Sequence, residues 1–275
     1  NILSDPQQEF TDLNILYIDE AFKGARLTPE DKKLLRSAKK KLNAERRLRP
    51  RPHLDDKVIT AWNAMMIAAF ARASSVFDEP VFFDGAVRSV SYLKSTSYDK
   101  NSGELFRQHR ADQYHTARGH SSQSPAEKAG TQAALADYAW LIYSLLEIDE
   151  ADKRAAQDDK ARNDNDEQWD EQWLEWALAL QAKQDELFLD KHSGAYFEST
   201  DDDANLLFRS KNIYDDALPS ANAIALANLR RLAQLSPAAD KKRFEAQADK
   251  LVGSFANVVN QNPSAASTLL FVELH

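Results

Sequence analysis

The 275-residue chain contains no cysteine, so disulfides, thiolate zinc sites and cysteine nucleophiles are excluded at the outset. Glycine is nearly as scarce, at seven residues, which argues against a β-rich or loop-rich design and favours helix. No run approaches the roughly 18 to 20 apolar residues a helix needs to cross a bilayer, and Asn1-Ile2-Leu3-Ser4-Asp5-Pro6 lacks the charged-then-apolar layout of a signal peptide. An excess of positive charge is missing too. Against 43 Asp and Glu stand 35 Lys and Arg, and the net charge of −8 disfavours nucleic acid or a membrane as the principal partner. What remains is the composition of a soluble globular protein, 43% hydrophobic and 28% charged, with a small molecule or a protein as its expected partner. The abrupt start at Asn1 and the apolar run Leu269-Leu270-Phe271-Val272 near the end are expected of a piece of something longer.

The positive content begins with a repeat. Asp99-Lys100-Asn101-Ser102-Gly103-Glu104-Leu105-Phe106 returns as Asp190-Lys191-His192-Ser193-Gly194-Ala195-Tyr196-Phe197. Gly103 and Gly194 are expected at positive φ in a turn, with a short β-hairpin at each copy. Ahead of each copy lies a largely apolar helix and then an amphipathic one. In the first pair, Val58, Ile59, Trp62, Met65, Met66, Ala69 and Phe70 predict a buried helix from Asp56 to about Arg72, and Phe83, Ala86, Val87, Val90 and Leu93 stripe its partner over Val81–Lys94. In the second, Ala133 to Leu146 is apolar all round but for Asp137 and Ser144, and Trp169, Trp173, Trp176 and Leu180 stripe the helix after it. In a third pair, Ser220 to Leu232 is rich in alanine and leucine, and Phe244, Ala248, Leu251, Val252, Phe255 and Val259 form the stripe that follows. Buried helices beginning near Asp56, Ala133 and Ser220, each with a half-exposed partner, predict a mainly α fold, an α/α toroid of stacked helical hairpins over residues 1–275.

Two segments stand outside that pattern. Residues 1–27 form an N-terminal segment of no assigned structure, followed by a helix that Thr28-Pro29-Glu30-Asp31 starts and that runs to about Ala44. Its many lysines and arginines are read as a solvated face, because no aromatic stacking platform is interleaved with them. Residues 151–168 include Asp158-Asp159-Lys160-Ala161-Arg162-Asn163-Asp164-Asn165-Asp166-Glu167, too polar for a core, and are expected to be a mobile insertion.

Chemistry-bearing residues gather where the buried helices begin. The first cluster runs from Arg49 to Asn63 and includes His53, Asp55, Asp56, Lys57, Trp62 and Asn63. The second is Asp137-Tyr138, and the third runs from Arg209 through Lys211, Asp215, Asp216 and Ser220 to Asn222. In a closed toroid these three helix starts point to one end, where dipoles and side chains converge on one pocket. Structural readings stand beside this one. Asp55, Asp56 and Ser220 also fit helix caps worth about 1 kcal/mol each, Asp137 fits an ion pair with Arg209 or Lys211, and His53 fits a packing histidine. The six histidines show no helical pair at metal-ligand spacing, and there is no phosphate-binding glycine loop and no nucleophile elbow, so neither metal nor cofactor is expected. Carboxylates, lysine and histidine remain as acids and bases, an inventory that suits sugars.

Arg51-Pro52-His53-Leu54-Asp55-Asp56-Lys57 with Trp62-Asn63, then Asp137-Tyr138-Ala139, then Arg209-x-Lys211 with Asp215, Asp216, Ala217, Pro219, Ser220 and Asn222 resemble the YyaL and spermatogenesis-associated protein 20 family. The resemblance covers about residues 28 to 260. It implies a partial (α/α)6 barrel, similar to those of six-hairpin glycosidases and N-acylglucosamine 2-epimerases, with the thioredoxin-like domain and first barrel helices of the family missing from this chain. Ala64 and Ala221 stand where the family has glycine, and Ala136 where aspartate is common. The expected function is binding of a sugar or related polar metabolite, with epimerase-like or glycosidase-like chemistry by analogy of fold. Asp55, Asp56, Asp137, Asp215 and Asp216 are then the candidate acids and bases. Lys57, Arg209 and Lys211 orient the ligand, Trp62 and Tyr138 stack on it, and His53, Asn63, Ser220 and Asn222 complete its contacts. The alternative is a non-catalytic scaffold for a thioredoxin-like domain, in which the same clusters brace the toroid.

Overall fold

A computed structural model describes residues 26–50, 55–110, 131–157, 170–201 and 206–274. The chain falls into two compact units, residues 1–55 and residues 56–275. In the first, helix α1 (Pro29–Leu48) runs one turn beyond Ala44. Its start is a capping box: the Thr28 hydroxyl accepts from the Asp31 amide at 3.1 Å, and the Asp31 carboxylate accepts from the Thr28 amide at 3.1 Å. None of its residues is buried, so its lysines and arginines lie in water as expected.

The second unit contains β1 (Lys57–Ile59), α2 (Thr60–Phe77), α3 (Pro80–Thr96), β2 (Gln108–Arg110), α4 (Leu135–Gln157), α5 (Asp170–Phe188), α6 (Ala221–Leu235), α7 (Ala238–Gln261), a 3-10 turn (Pro263–Ala266) and α8 (Ser267–Leu274). Helices α2, α4 and α6 form an inner row, with α4 packed against both of the others. Helices α3, α5 and α7 back them one for one, and α8 packs on α6. Inner helices are buried on most sides and outer ones on a single stripe, such as Ala86, Val90 and Leu93 of α3 or Phe244, Ala248, Leu251 and Phe255 of α7. This is the partial (α/α)6 toroid that the alternation of helices predicted. Ala64, where glycine was the family expectation, sits with its methyl wholly enclosed in the core.

The repeat explains how successive hairpins are joined. In each copy the glycine amide returns to the carbonyl of the leading aspartate, Gly103 to Asp99 at 2.8 Å and Gly194 to Asp190 at 2.7 Å. The glycines adopt φ of 73° and 86°, as expected. The hairpin expected at each copy is reduced to one antiparallel bridge, Tyr98 with Leu105 and Leu189 with Tyr196. The residue after the octapeptide then accepts from the first amide of the preceding inner helix, Arg107 from Thr60 at 2.9 Å and Glu198 from Leu135 at 3.1 Å. The seventh residue donates forward to the next inner helix. Leu105 N–H reaches the Tyr138 hydroxyl at 2.9 Å, and Tyr196 N–H the Asn222 side-chain carbonyl at 2.9 Å. Each octapeptide therefore staples one inner helix to the next.

Three expectations change. The first buried helix begins at Thr60 rather than Asp56, because Lys57–Ile59 pairs antiparallel with β2, in the register Lys57 to Arg110, Val58 to His109 and Ile59 to Gln108. Consecutive β-branched residues suit that extended start. Its buried face is also not the one centred on Trp62 and Met66, which are 61% and 55% exposed. The ridge of Ala61, Ala64, Ile67, Ala68 and Ala71 faces the neighbouring helices instead, since small side chains allow the close helix approach that an indole would prevent. Finally, residues 151–157 of the expected insertion continue α4, with Ala151 and Asp152 buried. The rest of it, 158–168, lies outside the described residues, as do Trp169, 1–25 and His53. Trp173, Trp176 and Leu180 are buried as the stripe required. No helix among the described residues is long and apolar enough to cross a membrane.

Candidate functional site

The inner helices run parallel. The first residues of α2 and α4 meet through Asp137, while about three turns further along Glu147 of α4 receives Arg231 of α6 at 2.7 Å and lies 3.8 Å from Arg72 of α2. All three N-termini therefore lie at one end, and that end gathers the second and third clusters together with the start of α2.

Asp137 is 1% exposed, and its two oxygens serve two helices. Oδ1 accepts from the Ala61 amide at 3.0 Å, and Oδ2 from the Ala134 amide at 2.9 Å. The ion pair with Arg209 or Lys211 is replaced by backbone donors, which offer charge-assisted bonds without burying a second ion. Burial pushes this carboxyl up to about 6, against the two amides and the Arg107 charge, which favour ionisation. The cap position of α2 is Ile59, whose side chain offers no acceptor, and neither Asp55 nor Asp56 fills the role, so Asp137 serves it from across the helix pair. Asp56 pairs with Arg110 of β2 at 3.1 Å instead. Asp215 repeats the two-helix device: Oδ1 accepts from Ser220 N at 2.9 Å ahead of α6, and Oδ2 from Thr268 N at 2.7 Å at the start of α8.

The remaining candidates divide by what they touch. Ser220 caps α6, its hydroxyl accepting from the Ala223 amide at 3.3 Å. Asn222 is wholly buried and donates to the carbonyls of Tyr196 and Asn212, each at 3.0 Å, while accepting from Tyr196 N–H. Tyr138 is buried against the first octapeptide, and its hydroxyl is pushed up by burial. Arg209 donates to the carbonyls of Ser199 and Leu187, both at 2.8 Å, with its guanidinium 4.2 Å from the centre of the Phe197 ring. Lys211 binds the second octapeptide, 2.5 Å from Asp190 and 3.0 Å from the Ser193 hydroxyl. That ammonium holds the Asp190 carboxyl well below the usual carboxylate range. Asn63 donates to the Ile59 carbonyl at 2.9 Å. Trp62 and Asp216 are exposed, Lys57 lies in β1, and Asp55 belongs to the other unit.

One residue at this end was not anticipated. Glu198 follows the second octapeptide, in the place Arg107 takes after the first, and burial raises its carboxyl although the Asn212 amide and the Asn222 side chain favour the ionised form. Its Oε1 is buried without a hydrogen-bond partner. Its position in the repeat was the signal available in the sequence. Among the described residues no three histidine, aspartate or glutamate side chains group to hold a metal ion.

Comparison with known proteins adds the following. No protein-family model matches the chain. Spermatogenesis-associated protein 20 of Rattus norvegicus is 36% identical over 200 residues, 72% of this chain and 22% of the relative. The human protein of that name is 34% identical over the same shares. The chain thus spans about a fifth of the length of these curated relatives. An uncharacterised protein of Caenorhabditis elegans is 28% identical over 99% of the chain and 34% of its own length. Among solved structures, a family 105 glycoside hydrolase of C. acetobutylicum aligns with TM-score 0.52 at 12% identity, over 86% of this chain and 60% of that one. A family 76 α-mannanase of Bacteroides thetaiotaomicron aligns with TM-score 0.52 at 14% identity, over 74% and 46%. At these identities the structures support the fold.

Proposed function

From the premise that this chain belongs to the spermatogenesis-associated protein 20 family, we propose that its partial toroid binds a sugar or related polar metabolite at the end where the three inner helices begin. The observation that carries the reading is the convergence of those N-termini, on a fold that glycoside hydrolases also use. Parallel helix starts supply aligned positive dipole ends suited to polar ligands. Exposed Trp62 offers an aromatic face nearby. Acid–base chemistry, epimerase-like or glycosidase-like, falls in this reading to Asp56 and Asp216, because Asp137 and Asp215 each hold two helix starts.

A second reading, a non-catalytic scaffold for a thioredoxin-like domain, is favoured by one specific observation. Arg209, Lys211, Ser220 and Asn222 are bonded to the protein's own turns and carbonyls. Calorimetric titration with a panel of mono- and oligosaccharides separates the two. Binding that Asp56→Asn or Asp216→Asn weakens, with an unchanged melting temperature, is the outcome expected of the ligand site. No heat from any sugar, with both variants altering only the melting temperature, would leave the scaffold.

A further inference from the structure

Helix α4 is flanked by α2 and α6 and backed by α5, so one side of it is left to face the inside of the ring. From Asp137 to Asp149 every residue is buried except two, Trp140 and Tyr143. The openings in this stretch of the inner wall are thus both large aromatic side chains. They lie three residues apart on one helical face, with ring centroids 5.6 Å apart and planes inclined at 70°. Glu147 continues the stripe one turn on, and its carboxylate is held by Arg231 at 2.7 Å. The same guanidinium stands 5.4 Å from the centre of the Tyr143 ring. Two aromatic faces are followed along the axis by a paired acid and base.

We propose that Trp140 and Tyr143 form a stacking platform for a saccharide ring inside the toroid, with Arg231 and Glu147 receiving its hydroxyl groups. This rests on the sugar-binding reading above and gives that ligand a place deeper than the helix starts. A pyranose offers a face of C–H bonds and a rim of hydroxyls. The face packs on an indole or phenol ring, and the rim exchanges bonds with a guanidinium and a carboxylate that are already fixed in place. From Trp140 to Glu147 the stripe is about 10 Å long at the helical rise, enough for a short oligosaccharide. The pair packs on the core with part of each ring left open, while the other residues from Asp137 to Asp149 are covered. A nucleic-acid base is disfavoured, because Arg231 is neutralised by Glu147 and Glu150.

The test uses the 275-residue chain labelled with ¹⁵N at its indoles, the Trp140 resonance being identified by its loss in Trp140→Phe. The probes are α-1,6-mannotriose and cellobiose, each followed in parallel by calorimetry. The expected result is a saturable shift of the Trp140 indole resonance at the concentrations where heat is released. Trp140→Ala should weaken affinity at least tenfold, while Trp140→Phe stays within threefold of the parent. If Trp140→Ala fails to fold, as judged by its melting curve, the wild-type resonance and the Tyr143→Leu affinity decide. Heat from a probe with an unmoved Trp140 resonance and unaltered variant affinity overturns the platform and leaves the sugar-binding reading standing. Neither heat nor shift with both probes defeats that reading and the platform with it.

Discussion

A carboxylate at the first turn of an apolar helix has two physical uses, and Asp137 is committed to one of them. Its oxygens satisfy amides at the starts of α2 and α4, groups that a buried helix terminus otherwise leaves without partners. Asp137→Ala removes both acceptors and should destabilise the second unit by roughly 2 to 5 kcal/mol in denaturant unfolding, the cost of two orphaned buried donors. The pH dependence has a definite sign. With its carboxyl raised from 3.8 to about 6, the folded protein holds a proton that the unfolded chain releases. Stability from this group is complete below pH 4 and is lost as pH rises through 6, a decline of about 3 kcal/mol. Half-buried Asp185 and Glu198 are shifted the same way and add declines of their own. Subtracting the Asp137→Asn unfolding curve from the wild-type curve across pH 4 to 7 isolates the Asp137 component. A difference that stays flat over that window would show that the carboxyl titrates normally.

At the scale of elements, the octapeptide turns couple neighbouring hairpins, and their glycines tolerate substitution unequally. Both have positive φ, so alanine at either costs about 1 to 2 kcal/mol of backbone strain. A methyl at Gly103 would meet the Lys183 Cε at 3.5 Å, an ordinary contact with a movable side chain. At Gly194 it would lie 2.5 Å from the Lys250 Cβ and 3.1 Å from that residue's backbone carbon, so α7 would have to retreat. Gly194→Ala should therefore lower the melting temperature by at least twice as much as Gly103→Ala, which paired thermal scans would check. The turns, their positive φ and the buried-then-striped order of helices were legible in the sequence because each depends on neighbours within a few residues. The outward turn of Trp62 was not. Apolar residues occupy both sides of α2, and the choice between them depends on α3 and α4. For the same reason, Asp137 could not be told apart as acid, ion pair or cap: its partner Ala61 lies 76 residues away. Trp140 and Tyr143 were hidden by the uniform hydrophobicity of α4, whose open side is defined only once three helices surround it.

In the molecule as a whole, the inner row is tied at two levels. Asp137, Asn222 and the carbonyls of Arg107 and Glu198 secure the leading end, and the Arg72–Glu147–Arg231 cluster ties the row again about three turns on, on its trailing side. Between them the Asn228 amide reaches the Ala139 carbonyl at 2.7 Å, a buried bond from α6 to α4. Helix α4 takes part in the Asp137, Glu147 and Asn228 ties, so its amides cannot open without releasing α2 and α6 as well. They should exchange with solvent only through global unfolding of the second unit. Helix α1 is the opposite case: it belongs to the other unit, none of its residues is buried, and among the described residues its support is local, from the capping box and the basic last turn. Most helical stability in proteins comes from tertiary packing of an apolar face, and α1 buries none of its residues. Hydrogen exchange followed by mass spectrometry or NMR should therefore find α1 amides exchanging at least about a hundredfold faster than those of Leu141 to Leu146. Glu147→Gln loosens the trailing tie and should speed exchange across α4 and α6 together while leaving α1 unchanged. If α4 and α6 responded separately, the inner row would not be one cooperative body, and a ligand held between its helices would lose the rigid wall it needs.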